Sequence, residues 1–419
     1  LTSDMDYTRA VADTCLYFHS SDDGFVIILS EVDDLLITGT NQAKIDQLHQ
    51  ALVDKWNVTD FGPIKSFLGI DVNYNIKSFE DAKSKNPELS MNVKAKVDEI
   101  FTKHTELSCL KLHDEALPSE KALQKFHEAV PESLNATQIY IRENFPSLVG
   151  SLIYLSITCR PDLTFAVGKV SRGMHNPSPA HVLMLEYCLG YLSRHRGRPL
   201  VYLRSGNPIE RHMNHLSENA SRLVSVVEHE YRGDGNLPID PIVGLSDADY
   251  ANSREEQRKS ISGYCFYCFG CLVSWRSKLQ PITATSTHEA ELIALSFAAD
   301  EGVWLRRLLS ELGFAVQGLC RLKPMEQSTT VEQELLKMSP LPLLGDNKSS
   351  IHTCVNPETS LRSRHLEVRW FKIRDYISDG TLRVHHVPTE YNVADALTKP
   401  KTGLDFSRYY EMLMGKTRS

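Results

Sequence analysis

Between Ile242 and Pro388 the hydrophobic period changes repeatedly, and short apolar runs alternate with helical ones. Ile242-Val-Gly-Leu245 reads as a short strand and Ile261 to Trp275 as a pair of strands. Leu292, Leu295, Ala299, Val303, Leu308 and Leu312 then recur at helical spacing. Ser286-Thr-His-Glu289 opens that helix as a capping box, and Gly313 stops it. Leu341-Pro-Leu-Leu344 is the next strand, Leu366, Trp370, Ile373 and Ile377 mark a second helix ended by Gly380, and Thr381 to Pro388 is the last strand. Each apolar face needs a partner layer, so this alternation predicts an α/β unit with helices against a sheet.

Four acids fall at the edges of these segments: Asp247, Glu291, Asp346 and Asp395. Each is read at a strand end or in the first turn of a helix. The set offers hard oxygen ligands with no thiolate and no histidine, which suits Mg²⁺. Two such ions about 3.5–4 Å apart can clamp the attacking and leaving oxygens of a phosphodiester. Glu289 has the capping role, and residues two apart on a helix point to different faces, so only one of Glu289 and Glu291 can face the site.

With 419 residues and 42% hydrophobic content, two or three domains with their own cores are expected. The longest apolar stretch, Leu148 to Ile157, is too short to span a bilayer, so no membrane helix and no membrane partner are expected. The N-terminus LTSDMDYTRA has neither an initiator methionine nor a signal pattern, and Leu1 reads as an internal start within a longer polyprotein. Nine cysteines without a signal peptide point to a reducing, intracellular setting. Cys265, Cys268 and Cys271 have a spacing that could bind zinc or an iron–sulfur cluster. They lie in an aromatic-rich strand, where positions three apart face opposite ways, so the structural reading is favoured. The net charge of −7 weakens a non-specific nucleic-acid-binding role more than a metal-dependent one, since bound cations reverse the local sign.

The chain ahead of the alternating unit starts with a hairpin. Phe25-Val-Ile-Ile-Leu29 is one strand, Val32-Asp33-Asp34 the turn, and Leu35-Leu-Ile37 the return. Asp33 and Asp34 could present carboxylates to a metal, although Asp-Asp is also ordinary turn chemistry. Residues 41 to 57 form an amphipathic helix, and the run from Phe61 leads into a strand. A polar stretch from 76 to 140 carries little dense core. Two helices follow, near Leu148 to Ile157 and His181 to Arg194, and 205 to 238 reads as a linker or surface insertion. The resulting division is 1–75, 76–145, 146–238, 239–400 and a tail at 401–419.

The motifs carry a resemblance. Ser246-Asp-Ala-Asp-Tyr-Ala251, Arg258-Lys-Ser-Ile-Ser-Gly-Tyr264, Ser274-Trp-Arg-Ser-Lys278, Glu289-Ala-Glu-Leu-Ile-Ala-Leu295, Asp346-Asn-Lys-Ser-Ser-Ile351, Arg364-His-Leu-Glu-Val-Arg369, His386-Val-Pro-Thr-Glu390 and Ala394-Asp-Ala-Leu-Thr-Lys-Pro400 occur in this order. The set resembles the ribonuclease H domain of copia-type retrotransposon polyproteins. Upstream, Cys15-Leu-Tyr17, Val32-Asp-Asp-Leu-Leu-Ile-Thr-Gly39, Phe67-Leu-Gly-Ile70, Leu148-Val-Gly-Ser-Leu-Ile-Tyr154 and Arg160-Pro-Asp-Leu-Thr-Phe-Ala166 are similar to the reverse transcriptase of the same polyproteins.

The resemblance implies a ribonuclease H-like domain with a mixed sheet, preceded by a partial reverse transcriptase palm, a thumb-like region and a connection. It implies hydrolysis of the RNA strand of an RNA–DNA hybrid, with Asp247, Glu291, Asp346 and Asp395 holding two Mg²⁺ and Mn²⁺ able to substitute. Arg258, Lys259, Arg276, Lys278 and Lys348 are candidate contacts to the nucleic-acid backbone, or else a solvated charged face. Where related ribonucleases place a histidine before the last acid, this chain has Glu390. Asp33 and Asp34 are metal ligands of an incomplete polymerase site: the third catalytic aspartate would precede Leu1, and Glu31 stands where the family has an aromatic residue. DNA synthesis by this chain alone is therefore not expected. The remainder of the polyprotein, or a longer reverse transcriptase subunit, is the implied partner. A cytoplasmic virus-like particle or the nucleus is the implied location. The alternative is a catalytically inactive relic or a hybrid-binding fragment.

Overall fold

Three sheets organise the chain in a computed structural model that describes residues 5–21, 23–76, 88–128, 133–203, 242–250, 258–268, 270–313, 340–356 and 371–415. The first sheet is antiparallel, in the order β1 (Thr8–Arg9), β2 (Leu16–Ser21), β3 (Gly24–Glu31), β4 (Asp34–Gly39). Its last hairpin closes on the pair Glu31 and Asp34, so the turn is Val32-Asp33 and Asp34 already belongs to β4. Helix α1 (Gln42–Trp56), capped by the Asn41 side chain on the Lys44 N–H, packs Leu48 and Leu52 against Val26 and Ile28.

The second sheet runs β5 (Ser66–Phe67), β6 (Ile70–Tyr74), β7 (Glu88–Asn92), β8 (Leu200–Leu203), and its last pairing joins segments more than a hundred residues apart. Between β7 and β8 lie α2 (Lys94–Lys103), α3 (Glu120–Phe126), α4 (Ala136–Glu143), α5 (Phe145–Thr158), α6 (Thr164–Val170) and α7 (Pro179–Arg194). The polar stretch is richer in core than its composition suggests: Val97, Ile100, Leu107, Leu110, Leu117 and Leu123 all enter the cluster built on α5 to α7. Single apolar residues spaced among charges give each short helix one narrow buried stripe, which a local reading of density overlooks. Helix α6 was not anticipated either.

The third sheet has five strands and is mixed, in the order β11-β10-β9-β12-β13. Its strands are β9 (Ile242–Asp249), β10 (Ile261–Cys268), β11 (Cys271–Leu279), β12 (Leu341–Gly345) and β13 (Leu382–His386). β9, β10 and β11 pair antiparallel, whereas β12 is parallel to both β9 and β13. One face packs on α8 (Thr287–Glu311) through Phe266, Leu292, Leu295 and Leu343, with α9 (Lys348–Val355) and α10 (Lys372–Ser378) alongside. The other face carries Val243, Leu245, Cys265 and Tyr267 against Leu397, Tyr409 and Leu413. The mixed sheet with helical cover is the arrangement implied by the ribonuclease H-like resemblance. Residues 403–414, read as part of a tail, form helix α11 (Gly403–Met414), which supplies that second cover.

Close approach is built in at Gly244, where a Cβ would meet Phe266 Cε1 at 2.4 Å and Leu343 Cδ1 at 2.9 Å. The first sheet touches this unit through α8. The Val11 and Ala12 N–H groups donate to Glu311 Oε2 at 2.6 and 3.0 Å, and Trp304 Nε1 donates to the Ala12 carbonyl at 3.0 Å. The insertion at 205–238, the motif Arg364 to Arg369 and the start of the helix read from Leu366 lie outside the described residues. Among the described residues no helix is long and apolar enough to cross a membrane.

Candidate active site

Every residue of β9 is buried, and Asp247 lies inside the strand, followed by Ala248 and Asp249. Glu291 stands one turn into α8, and Asp346 is the first residue after β12. These three were chosen in the sequence from different elements, and the fold brings one carboxylate oxygen of each within 4.8 Å of the others. Among the described residues, no other group of three or more histidines, cysteines or acids meets that geometry. Cys265 joins the core with α11, while Cys268 packs toward α8 and lies opposite Cys271 in the β10–β11 ladder; none of the three is in a disulfide.

Helix α8 is aimed by its start. Ser286 Oγ accepts from the Glu289 N–H at 3.2 Å, and the Glu289 carboxylate accepts from the N–H and the hydroxyl of Thr285 at 2.7 and 2.8 Å. The expected reciprocal bond to Ser286 is thus moved one residue upstream, and Glu289 is not among the three converging acids. Gln280, buried at the end of β11, donates to Ser262 Oγ at 2.9 Å and to the Ala290 carbonyl at 2.8 Å, which fixes the turn that carries Glu291. Thr389 donates to Asp346 Oδ2 at 2.7 Å, so this threonine, one residue before Glu390, reaches the site.

Asp395 sits in a 3-10 segment, Val393–Leu397, laid across the sheet. Gly263, directly opposite Asp247 in the β9–β10 ladder, makes room: a Cβ there would meet Thr398 Cγ2 at 2.7 Å and Leu397 Cβ at 2.9 Å. Asn392 pins the same segment by donating to the Ser246 carbonyl at 2.9 Å. The Asp395 carboxylate is not part of the triad but faces two ammonium groups. Lys399 Nζ donates to Oδ1 at 2.9 Å, and Lys401 donates to Oδ2. Thr398 donates to Asp247 Oδ2, and Lys399 Nζ lies 3.8 Å from the same oxygen.

The electrostatics follow from this geometry. Burial, with Asp395 and Asp346 nearby, pushes the Asp247 carboxyl up to about 7 against the pull of Lys399. Glu291 is raised as well, by burial first and then by Asp247 and Asp346. Burial also acts to raise Asp395, but Lys399 and Lys401 outweigh it and hold that carboxyl below the usual range. Asp247 Oδ1 is buried without a hydrogen-bond partner. Three converging carboxylates, two of them with raised pKa values and one with an orphaned oxygen, are a donor set that fits a hard divalent cation.

Of the candidate backbone contacts, Lys348 is exposed at the start of α9, two residues after Asp346. Arg276 and Lys278 are exposed along the edge strand β11, with Lys278 Nζ 5.8 Å from the Phe297 ring centre. Arg258 and Lys259 precede β10. Asp33 and Asp34 are exposed at their hairpin, beside Val32 with a φ of 52°, a strained value for a β-branched residue. Sequence reasoning assigned no role to Gln280, Thr389, Asn392, Thr398, Lys399 or Lys401. The i, i+4 spacing of Asp395 and Lys399 was the one available signal.

Residues 1–85 match the family described as Reverse transcriptase (RNA-dependent DNA polymerase). The Retrovirus-related Pol polyprotein from transposon TNT 1-94 of Nicotiana tabacum is 29% identical over 394 residues, covering 94% of this chain and 25% of the relative. The corresponding polyprotein from transposon RE1 of Arabidopsis thaliana is 26% identical over 414 residues, covering 98% of this chain and 23% of the relative. Over nearly its whole length the chain is similar to the Pol polyproteins of copia-type retrotransposons. The chain spans about a quarter of the length of the curated relatives it matches. A solved structure, that of RNase H1 from the halophilic archaeon Halobacterium salinarum NRC-1, is similar over 38% of this chain and 93% of its own, with 16% identity and a TM-score of 0.24.

Proposed function

We propose that the chain hydrolyses the RNA strand of RNA–DNA hybrids, with Asp247, Glu291, Asp346 and Asp395 as ligands for two Mg²⁺, for which Mn²⁺ can substitute. The observation that carries this reading is the convergence of three carboxylates from β9, α8 and the end of β12 within 4.8 Å of one another. When bound, the divalent cations supply positive charge that polarises a phosphodiester and lowers the pKa of an attacking water.

The chain's own residues do the positioning. Gln280 and the Ala248 N–H hold Glu291 and its turn, Thr389 steadies Asp346, and Thr398 holds one oxygen of Asp247. Lys348, Arg276, Lys278, Arg258 and Lys259 serve as contacts to the hybrid backbone, where each charge adds affinity without sequence preference. Selection of the RNA strand rests on contact with the 2′-hydroxyl. Asp33 and Asp34, in the segment that matches the reverse transcriptase family, serve as metal ligands of a polymerase site, and further Pol polypeptide is the partner. The setting is intracellular, in a particle or the nucleus.

A second reading, a non-cleaving hybrid binder or relic, is favoured by one observation: both oxygens of Asp395 are already taken by lysines. One experiment separates the two. The purified chain is given an end-labelled RNA–DNA hybrid, the matching RNA duplex and the matching DNA duplex, each with Mg²⁺ or with EDTA. Mg²⁺-dependent cutting of the RNA in the hybrid alone supports the nuclease. Salt-sensitive binding of the hybrid with no cutting supports the second reading.

A further inference from the structure

The two oxygens of Asp247 are used differently. Oδ2 accepts from Thr398 and lies 3.8 Å from Lys399 Nζ, whereas Oδ1 is buried and has no partner. Lys399 Nζ also holds Asp395 Oδ1 at 2.9 Å, so one ammonium bridges the acid of β9 and the acid of the 3-10 segment. Among the described residues no ammonium or guanidinium forms a salt bridge with Glu291 or Asp346. Lys399 is felt at Glu291 as well, but among the described residues only the Asp247–Asp395 side of the acid cluster has a protein cation within ion-pair distance.

We propose that Lys399 is a built-in counter-ion that makes the two cation positions unequal. The side framed by Asp247, Glu291 and Asp346 takes the first divalent ion, and a second binds only by displacing the Lys399 ammonium from between Asp247 and Asp395. Two features support this. The Lys399 side chain is 36% exposed on a flexible stem, so it can leave without unpacking the core. Asp395, by contrast, is fixed from behind by Tyr409 OH at 3.3 Å and by Lys401, so the carboxylate stays when Lys399 departs. An ammonium between two carboxylates also offsets their mutual repulsion in the metal-free protein. Lys399 is thus a positioning residue that sets the order of cation binding, and this inference rests on the two-cation reading above.

The test needs no nucleic acid and no turnover. Mn²⁺ is titrated into the full chain, with free Mn²⁺ followed by electron paramagnetic resonance, for the wild type, Lys399→Met, Lys399→Gln and Lys399→Arg. The wild type and Lys399→Arg should show one tight and one weak site. In Lys399→Met the weak site should tighten by about tenfold, with the tight site little changed. Lys399→Gln keeps a hydrogen bond to Asp395 without the charge and should behave like Lys399→Met, which covers the case in which the methionine variant does not fold. Equal second-site affinity in the wild type and the uncharged variants overturns the role of Lys399 alone. No Mn²⁺ bound by any of the four overturns the two-cation reading and this inference with it.

Discussion

Asp247 is a carboxyl in a fully buried strand, and its titration is tied to the state of the site. Its pKa is raised to about 7, by burial first and then by Asp395 and Asp346, against an unfolded value of about 4. A carboxyl raised on folding contributes stability below the unfolded pKa, and that contribution is lost as pH rises through the folded value. In EDTA, the melting temperature of the wild type relative to Asp247→Asn is therefore expected to fall between about pH 4 and pH 7. Adding Mg²⁺ should reverse that trend for the wild type only, because the bound ion favours the ionised carboxylate. A relative melting temperature that rises over this window would contradict the assignment. The neighbouring Gln280 shows a limit of residue-level reading: a glutamine ending a strand carries no signal, and its role appears only when the Ala290 carbonyl and Ser262 are brought to it.

At the level of elements, the 3-10 segment Val393–Leu397 can lie on the sheet because Gly263 has no side chain. Gly263→Ala forces a Cβ to within 3.0 Å of Thr398, Leu397 and the Ala394 carbonyl, one of which is backbone. The expected cost is about 1–3 kcal/mol in urea unfolding, together with loss of hybrid cleavage as Asp395 and Lys399 shift. Unchanged stability and activity would show that the segment is not seated this way. Strands β9, β12 and β13 and helix α8 were legible because each has a clean period and a clear stop, such as Gly313. Helix α11 was not, because Tyr409, Met412, Leu413 and Met414 find their cover on β9, β10 and β8, distant in sequence. The acids were legible as residue types near element boundaries, although β9 runs on to Asp249 and so holds Asp247 inside the strand and not at its end. Their division into a triad and a lysine-held fourth was not, because it depends on where the chain folds back after Asp395.

At the scale of the molecule, the proposed function asks a chain of net charge −7 to hold a polyanion with a few local bases. If Arg276 and Lys278 each neutralise a phosphate, replacing both with Ala should flatten the dependence of log K on log salt by about 1 per residue. Binding affinity measured from low to physiological salt checks this, and an unchanged slope would return both residues to the solvated surface. The N-terminal sheet is tied to the same unit, since Glu311 and Trp304 at the far end of α8 hold residues 11 and 12. The helix that carries Glu291 near its start thus carries the polymerase-related sheet near its end. The proposed function stands on the acid cluster being a metal-dependent ribonuclease site. Single-turnover cleavage of a labelled RNA–DNA hybrid in Mg²⁺, by the wild type and by Asp346→Asn side by side, tests it most directly. Cleavage by the wild type and none by the folded variant is expected; equal cleavage by both, or none by a folded, Mg²⁺-loaded wild type, would overturn the ribonuclease assignment.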